Sequence, residues 1–302
     1  MSTSYHVAVI GLGAMGMGAA RSCLRAGLTT YGIDLSEQAR SQLQQAGAAA
    51  VMADARPLAE TLDAVLLLVV NATQVRRILL GEEGLARHLK PGTAIMVSST
   101  IAAEEASALA AELAQLGLPM LDAPVSGGAI KADAGEMTVM AAGADAAFDK
   151  LAPVLDAVAG KLYRVGSEPG QGSTVKIIHQ LLAGVHIAVA AEAMALASKA
   201  GVPLDLMYDV VTHAAGNSWM FENRMPRVLT GDYQARSAVD IFVKDLTLVA
   251  DTAKALRFPL PLASTALNMF LGASNAGHGQ EDDSAVIKTF SGITLPGQEE
   301  RP

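Results

Sequence analysis

Lys176 and His179 stand three residues apart at the entrance to the longest apolar stretch of the chain, directly after the glycine-rich break Gly170-Gln171-Gly172. Positions three and four apart on a helix are neighbours, so Lys176, His179, Gln180 and Ala183 form one stripe. An amine beside an imidazole is a candidate proton-transfer pair. The same residue types also serve as a snorkelling lysine near a helix start and a hydrogen-bonded interior histidine. What surrounds the pair therefore decides its meaning.

The elements that must position it follow from hydrophobic patterning. Up to about Gly166, short apolar runs alternate with alanine-rich helical stretches. Val7 to Ile10, Thr29 to Ile33, Ala64 to Val70, Ala94 to Ser98, Pro119 to Asp122, Met137 to Ala141 and Leu162 to Val165 read as strands. Ala14 to Ala26, Ser36 to Ala46, Ala102 to Leu116 and Ala146 to Ala157 read as helices. Such alternation predicts an α/β domain, a parallel doubly wound sheet with helices on both faces. The run Ala64 to Val70 is too uniformly apolar for a half-exposed strand and belongs at the sheet centre. After Gly170 strand signals cease, and Gln171 to about Phe290 reads as helices. The shift divides the chain near Pro169, giving a Rossmann-type domain over 1-168 and an all-α domain over 169-302, with a cleft expected between them. Pro296 to Pro302 is polar and expected to fray.

Gly11-Leu12-Gly13-Ala14-Met15-Gly16 follows the first strand and opens the first helix, which is the context a dinucleotide fingerprint needs. The first glycine allows the tight turn, the second lets backbone approach a pyrophosphate, and the third permits close helix packing. The helix N-terminus supplies N–H donors for the phosphates. Asp34 ends the second strand, where a carboxylate accepts from both ribose hydroxyls and repels a 2′-phosphate. Leu35-Ser36-Glu37 offers no arginine, so the expected cofactor is NAD over NADP. Further on, Asp122-Ala123-Pro124-Val125-Ser126-Gly127-Gly128 breaks a strand with a proline and two glycines. Ser126, Gly127 and Gly128 expose consecutive amides beside a hydroxyl, a nest able to hold a carboxylate; a plain inter-strand loop is the alternative.

Composition narrows the partners. The 302 residues are 51% hydrophobic and 17% charged with a formal net charge of -8, which excludes disorder and lacks the basic footprint of nucleic-acid or anionic-membrane binding. A small molecule is the expected partner. The single cysteine, Cys23, permits no internal disulfide and is read as core in a reducing compartment. Met1 to His6 lacks the basic region of a targeting segment, so the cytosol is the expected location. Leu181 to Ala197 mimics a membrane span, but His186 and Glu192 interrupt it, and a helix buried between domains is preferred. Its apolar surface also points to a homo-oligomer, a dimer or tetramer. No His, Cys or carboxylate set has metal spacing, and no metal is expected.

Four motifs in order give the chain a family likeness: Gly11 to Gly16, Asp122 to Gly128 with Gly135, Gly170-Gln171-Gly172 leading to Lys176, and Lys244-Asp245-Leu246. In these it resembles the β-hydroxyacid dehydrogenases, which include 3-hydroxyisobutyrate dehydrogenase and tartronate semialdehyde reductase, over nearly its whole length. The resemblance implies that Lys176 is the catalytic acid/base and that Ser126, Gly127 and Gly128 grip the substrate carboxylate. Lys244 would lie near the nicotinamide side, contacting substrate and cofactor, while Asn71 and Thr100 line the cofactor. Most of the family has asparagine where this chain has His179, so a substrate-binding amide becomes an imidazole. That departure, within Lys176-Ile177-Ile178-His179-Gln180-Leu181-Leu182, favours a branch acting on L-threonate-like sugar acids.

The implied chemistry is oxidation of a hydroxy acid at C2. An exposed lysine titrates near ~10.4, so the Lys176 amine must be tuned downwards to take the hydroxyl proton, which burial and the positive oxidised nicotinamide both favour. His179 would hold a substrate hydroxyl or, when protonated, help lower the lysine. His186 reads as an interior or interface residue. Trp219, Met220 and Phe221 read as core or pocket lining, and Asn217 and Ser218 as substrate contacts or a helix cap. Alternatives are a 3-hydroxyisobutyrate-type dehydrogenase, a semialdehyde reductase acting towards alcohol, and a silent NAD-binding regulator.

Overall fold

The structure, a computed structural model, describes residues 4–296. Of the terminus expected to fray, everything from Gly297 onward lies outside the described residues. The chain divides into two compact units, Met1–Lys176 and Ile177–Pro302.

The first unit holds nine strands: β1 (His6–Ile10), β2 (Thr29–Ile33), β3 (Ala50–Met52), β4 (Ala64–Leu67), β5 (Ala94–Val97), β6 (Met120–Asp122), β7 (Val125–Ser126), β8 (Met137–Ala142) and β9 (Ala159–Gly166). The helices among them are α1 (Ala14–Arg25), α2 (Glu37–Gln45), α3 (Ala72–Leu80), α4 (Ala103–Gln115), α5 (Gly128–Ala134) and α6 (Asp145–Val158). Strand order is β3-β2-β1-β4-β5-β6-β8-β7, with β9 on β8. The strands β1 to β6 are parallel, with β4 at their centre. Alternating side chains feed two cores. Val7, Val9, Leu66 and Met96 pack on one face, and Ala8, Ile10, Val65, Leu67, Ile95 and Val97 on the other. Strands buried on both faces need no polar alternation, and each buried leucine or isoleucine contributes about 1.5–3 kcal/mol.

Three features differ from the sequence expectation. The sheet is mixed, because β8 runs antiparallel to β6 and β7. Only residues 127–136 separate β7 from β8, too short for a parallel crossover of a dozen or more residues. The apolar run from Ala64 leaves the sheet after Leu67 instead of Val70. There the amides of Val69 and Val70 donate to the Ser99 and Gln74 side chains at 3.1 and 2.8 Å in place of a strand partner. The short elements β3, β7 and α5 carry too few residues for a periodic signal, and α3, as long as α2, is a further helix beyond those expected.

The helix α7 (Gln171–Lys199) contains the point where the two units divide. The second unit continues with α8 (Leu204–Thr212), α9 (Trp219–Thr230), α10 (Val239–Ala255) and α11 (Pro261–Ala273). Phe221, Met225, Phe242, Leu246 and Phe270 form its core with Ile187 and Met194 of α7, and the Phe242 and Phe270 rings stack with centroids 5.2 Å apart. Two ion pairs are sunk into this unit, Arg224 with Asp283 and Arg227 with Asp282.

One expectation is corrected here. Of the described helices, α7 alone is long and apolar enough to cross a membrane, but its apolar window is half buried. It is not buried all round. Val175, Ile178, Leu182, Val189 and Leu196 are exposed at helical spacing on one side. Of its two expected roles, core or pocket lining, Trp219 at 50% exposure is excluded from the core, whereas Phe221 is buried and stacks on Tyr208.

Candidate active site

Residues singled out in the first unit collect at one edge of the sheet. The glycine motif follows β1, Asp34 follows β2, Asn71 lies just beyond β4, Thr100 just beyond β5, and Ser126 to Gly128 beyond β6. All are downstream of the carboxyl ends of parallel strands. In open α/β sheets this is the ligand-binding edge.

The glycines answer their expected roles in turn. Gly11 has φ +91°, and a Cβ there would lie 2.6 Å from the Leu68 carbonyl oxygen. A Cβ on Gly16 would lie 1.7 Å from the Gly11 oxygen, so α1 packs on the turn too closely for any side chain. A Cβ on Gly13 would project into open space, the cradle a pyrophosphate requires.

Among the helices α1 to α6, the N-termini distinguish two sites from the rest. Each α-helix leaves its first N–H groups without intrahelical partners. Ser36 caps α2 and Asn71 caps α3, while α4 and α6 carry acids in their first turns. Neither a side-chain cap nor a first-turn acid occurs at α1 or α5. These two ends are the glycine fingerprint and the Ser126-Gly127-Gly128 nest. Gly127 and Gly128 have φ of +127° and +71°, a consecutive left-handed pair that favours glycine.

Asp34 is held in the turn it closes. Its Oδ2 accepts from the Leu12 amide and its Oδ1 from the Ser36 amide, both at 2.7 Å. A carboxylate has about four acceptor directions, so capacity for ribose hydroxyls remains. Arg40 was not singled out from sequence. It donates to the carbonyls of Asp34 and Leu35 at 2.7 and 2.9 Å, which sets a guanidinium beside this position from one helical turn further on. Asn71 uses its side-chain oxygen to accept from the Gln74 amide at 2.9 Å.

Lys176, 6% exposed, is the last residue of the first unit. One turn earlier, Ser173 donates from Oγ to Asp122 Oδ1 at 2.7 Å, and the amides of Gly170 and Ser173 both donate to Asp122 Oδ2 at 2.8 Å. Asp122 is fully buried, and burial pushes its carboxyl above the usual carboxylate range against the pull of these bonds. Cys23 is core as expected, with burial pushing its thiol up to about 12.

In the second unit, His179 and Lys244 join one polar chain. Lys244 Nζ donates to Asp245 Oδ1 and Gln180 Nε2 to Asp245 Oδ2, both at 2.5 Å. Because the Gln180 amide nitrogen faces the carboxylate, its oxygen faces His179 Nδ1 at 2.9 Å. An oxygen only accepts, so Nδ1 carries the proton. Gln180 and Asp245 are buried, and their sequence separation hid this link. Of the two cap candidates, Ser218 caps α9 by accepting from Phe221, while Asn217 Oδ1 is buried without a hydrogen-bond partner. His186 is half-buried.

Comparison with known proteins follows the two units. A profile describing the NAD binding domain of 6-phosphogluconate dehydrogenase matches residues 6–166. Another, the NAD-binding domain of NADP-dependent 3-hydroxyisobutyrate dehydrogenase, matches residues 170–290. The chain is 72% identical over 295 residues to an L-threonate dehydrogenase of Escherichia coli O6:H1, covering 98% of each. It is 70% identical, again with 98% of each covered, to that of Escherichia coli K12. A crystal structure from Salmonella typhimurium, described as 3-hydroxyisobutyrate dehydrogenase, superposes with a TM-score of 0.92 at 69% identity, covering 95% of this chain and 100% of that one. These relatives agree on fold and chemistry class and differ in the substrate they name.

Proposed function

Because the chain belongs to the 3-hydroxyisobutyrate dehydrogenase-like family of NAD-dependent hydroxyacid dehydrogenases, the β-hydroxyacid dehydrogenases, we propose that it oxidises L-threonate at C2 to 2-oxo-tetronate. Identity of 72% over 98% of the chain to an L-threonate dehydrogenase is the observation that carries the substrate. In this reading residues 1–168 bind NAD, and residues 169–302 serve substrate binding and oligomerisation.

Lys176 is the general base. Its amine takes the C2 hydroxyl proton. NAD⁺, when bound, supplies the acceptor for the hydride that leaves C2 for nicotinamide C4. Gly11 to Gly16 hold the pyrophosphate through the open N-terminus of α1, Asp34 holds the ribose, and Asn71 and Thr100 line the cofactor. Ser126, Gly127 and Gly128 hold the substrate carboxylate. His179 holds a substrate hydroxyl, oriented through Gln180, and Lys244 contacts substrate and nicotinamide. Removing one proton and one hydride from the carbinol leaves the 2-oxo acid and NADH.

A panel followed by NADH absorbance tests this. L-Threonate should give the highest kcat/KM among its stereoisomers and 3-hydroxyisobutyrate. A higher value on 3-hydroxyisobutyrate would support the second reading, which the description of the Salmonella structure favours. No turnover with any hydroxy acid despite NAD binding would leave the regulator.

Asp34 supports NAD over NADP, and replacing Asp34 with Ser and Leu35 with Arg should improve NADP use. An unchanged cofactor preference would remove Asp34 from the ribose role. The exposed apolar side of α7 supports a homo-oligomer, and light scattering that gives a monomer mass would refute it. We take the compartment to be the cytosol, which activity found only in a membrane fraction would contradict.

A further inference from the structure

We propose that Asp122 is a positioning residue for Lys176: its buried carboxylate ties the first turn of α7 to the carboxyl end of β6 and so sets where the lysine amine stands. The inference rests on Lys176 being the general base. Where α2, α3 and α9 have a side-chain cap, it is the local residue Ser36, Asn71 or Ser218. The start of α7 is capped instead by a carboxylate about fifty positions earlier in the chain, through the amides of Gly170 and Ser173 at 2.8 Å and the Ser173 hydroxyl at 2.7 Å. A distant cap fixes helix to sheet, which a local one does not.

A second contact shows how tightly this joint is closed. A Cβ on Gly172 would lie 2.4 Å from the Asp122 carbonyl oxygen and 2.6 Å from that of Met140, so the helix backbone rests on the end of β6 and on β8. Ser173 and Lys176 are one turn apart on α7 and share a face. From Asp122 the chain runs only through Ala123, Pro124 and Val125 to Ser126 and the glycine nest. One carboxylate therefore anchors both the base and the segment that grips the substrate anion. All these residues lie within the unit Met1–Lys176. A fully buried acid is an expensive way to cap a helix, since burial disfavours its charge; registering a base to fractions of an ångström is a return that a local serine cannot give.

The test compares wild type with Asp122→Asn, Ser173→Ala and Asp122→Ala, using Lys176→Ala as control. Sites are counted by NADH fluorescence titration, and kcat per site and the primary deuterium isotope effect are measured with L-threonate deuterated at C2. Misplacing a catalytic group by about 1 Å costs about 100-fold, the loss expected for Asp122→Ala. Asp122→Asn keeps an oxygen for the two amides, and Ser173→Ala keeps both amide bonds. Each should lose only about three- to tenfold, with a raised isotope effect and NADH affinity within about twofold of wild type. A merely structural role would lower the melting temperature and the number of NADH sites and leave kcat per site unchanged. Wild-type kcat per site and isotope effect in both Asp122→Asn and Ser173→Ala would overturn the proposal, whether or not Asp122→Ala folds. Near-normal turnover in Lys176→Ala would instead remove the general base on which it rests.

Discussion

In the unit that ends at Lys176, the sites fit for anions are backbone amides, those at the uncapped starts of α1 and α5. In the unit that begins at Ile177, polar work falls to side chains, His179 through Gln180 and Asp245 to Lys244. The interiors differ in the same sense. The sheet is enclosed by two apolar cores, whereas the helical unit buries Arg224 against Asp283 and Arg227 against Asp282. A parallel sheet satisfies its own backbone groups and delivers loops to one edge, so glycine suffices to make a site there. Helices consume their own amides, so a site between them must be built from side chains and needs buried partners to hold those in line.

The sharpest way to break this contrast is at the boundary between the two units. Lys176→Ala should cut kcat by about 100- to 10,000-fold while NADH affinity, supplied by backbone in the same unit, stays within about twofold. Loss of both together in a folded variant would mean that base and cofactor site are not separable.

Next in size is the helical interior. Arg224→Ala leaves the fully buried Asp283 without its two guanidinium bonds at 2.7 and 3.0 Å. Breaking a buried pair from one side costs about 3–5 kcal/mol, to be read by urea denaturation. A loss below about 1 kcal/mol, the range of exposed pairs, would show the interior relaxing as a surface does.

Gly13→Ala probes the backbone site alone. Its Cβ meets nothing within 4 Å, so stability should stay within about 0.5 kcal/mol, while NADH binding weakens about tenfold, the affinity equivalent of about 1.4 kcal/mol. Unchanged affinity would place the pyrophosphate elsewhere.

The smallest effect concerns Asp122, whose folded carboxyl titrates above its unfolded value because of burial. Just above the usual carboxylate range the folded state then holds the proton more often than the unfolded chain, and this group lowers stability as pH rises. Asp122→Asn carries no such charge. Its melting temperature relative to wild type should therefore rise between about pH 4, near the unperturbed carboxylate value, and neutrality. A difference independent of pH would mean that Asp122 does not titrate differently on folding.

Much of the first unit was legible because backbone sites need glycine at fixed offsets. Gly11, Gly13 and Gly16 announce a turn, an approach and a packing contact, and Gly127-Gly128 a consecutive left-handed pair. The apolar strand Ala64–Leu67 was legible too, although its apolar run continues to Val70, past the end of the strand. Short elements were not: α5, with seven residues, reads as loop because two turns cannot display a period. Whether Trp219 is core or pocket lining was not legible, because hydrophobicity is a property of the residue and exposure a property of its neighbours; its 50% exposure excludes the core. Arg40 was not legible beside Asp34 because it lies six residues further along the chain, and only the turn of α2 brings its guanidinium back.

Sequence by itself determined the order of the longer strands and helices, the glycine fingerprint with Asp34, and the pairing of Lys176 with His179 on one helix, since these depend on residues close together along the chain. Only the tertiary structure decided that Asp122 caps α7, that Gln180 meets Asp245, that β8 runs antiparallel and that one side of α7 stays exposed. Each of these is a meeting of groups far apart in the chain, or the absence of a cover, and local periodicity carries no record of which distant surface comes to rest against a given residue.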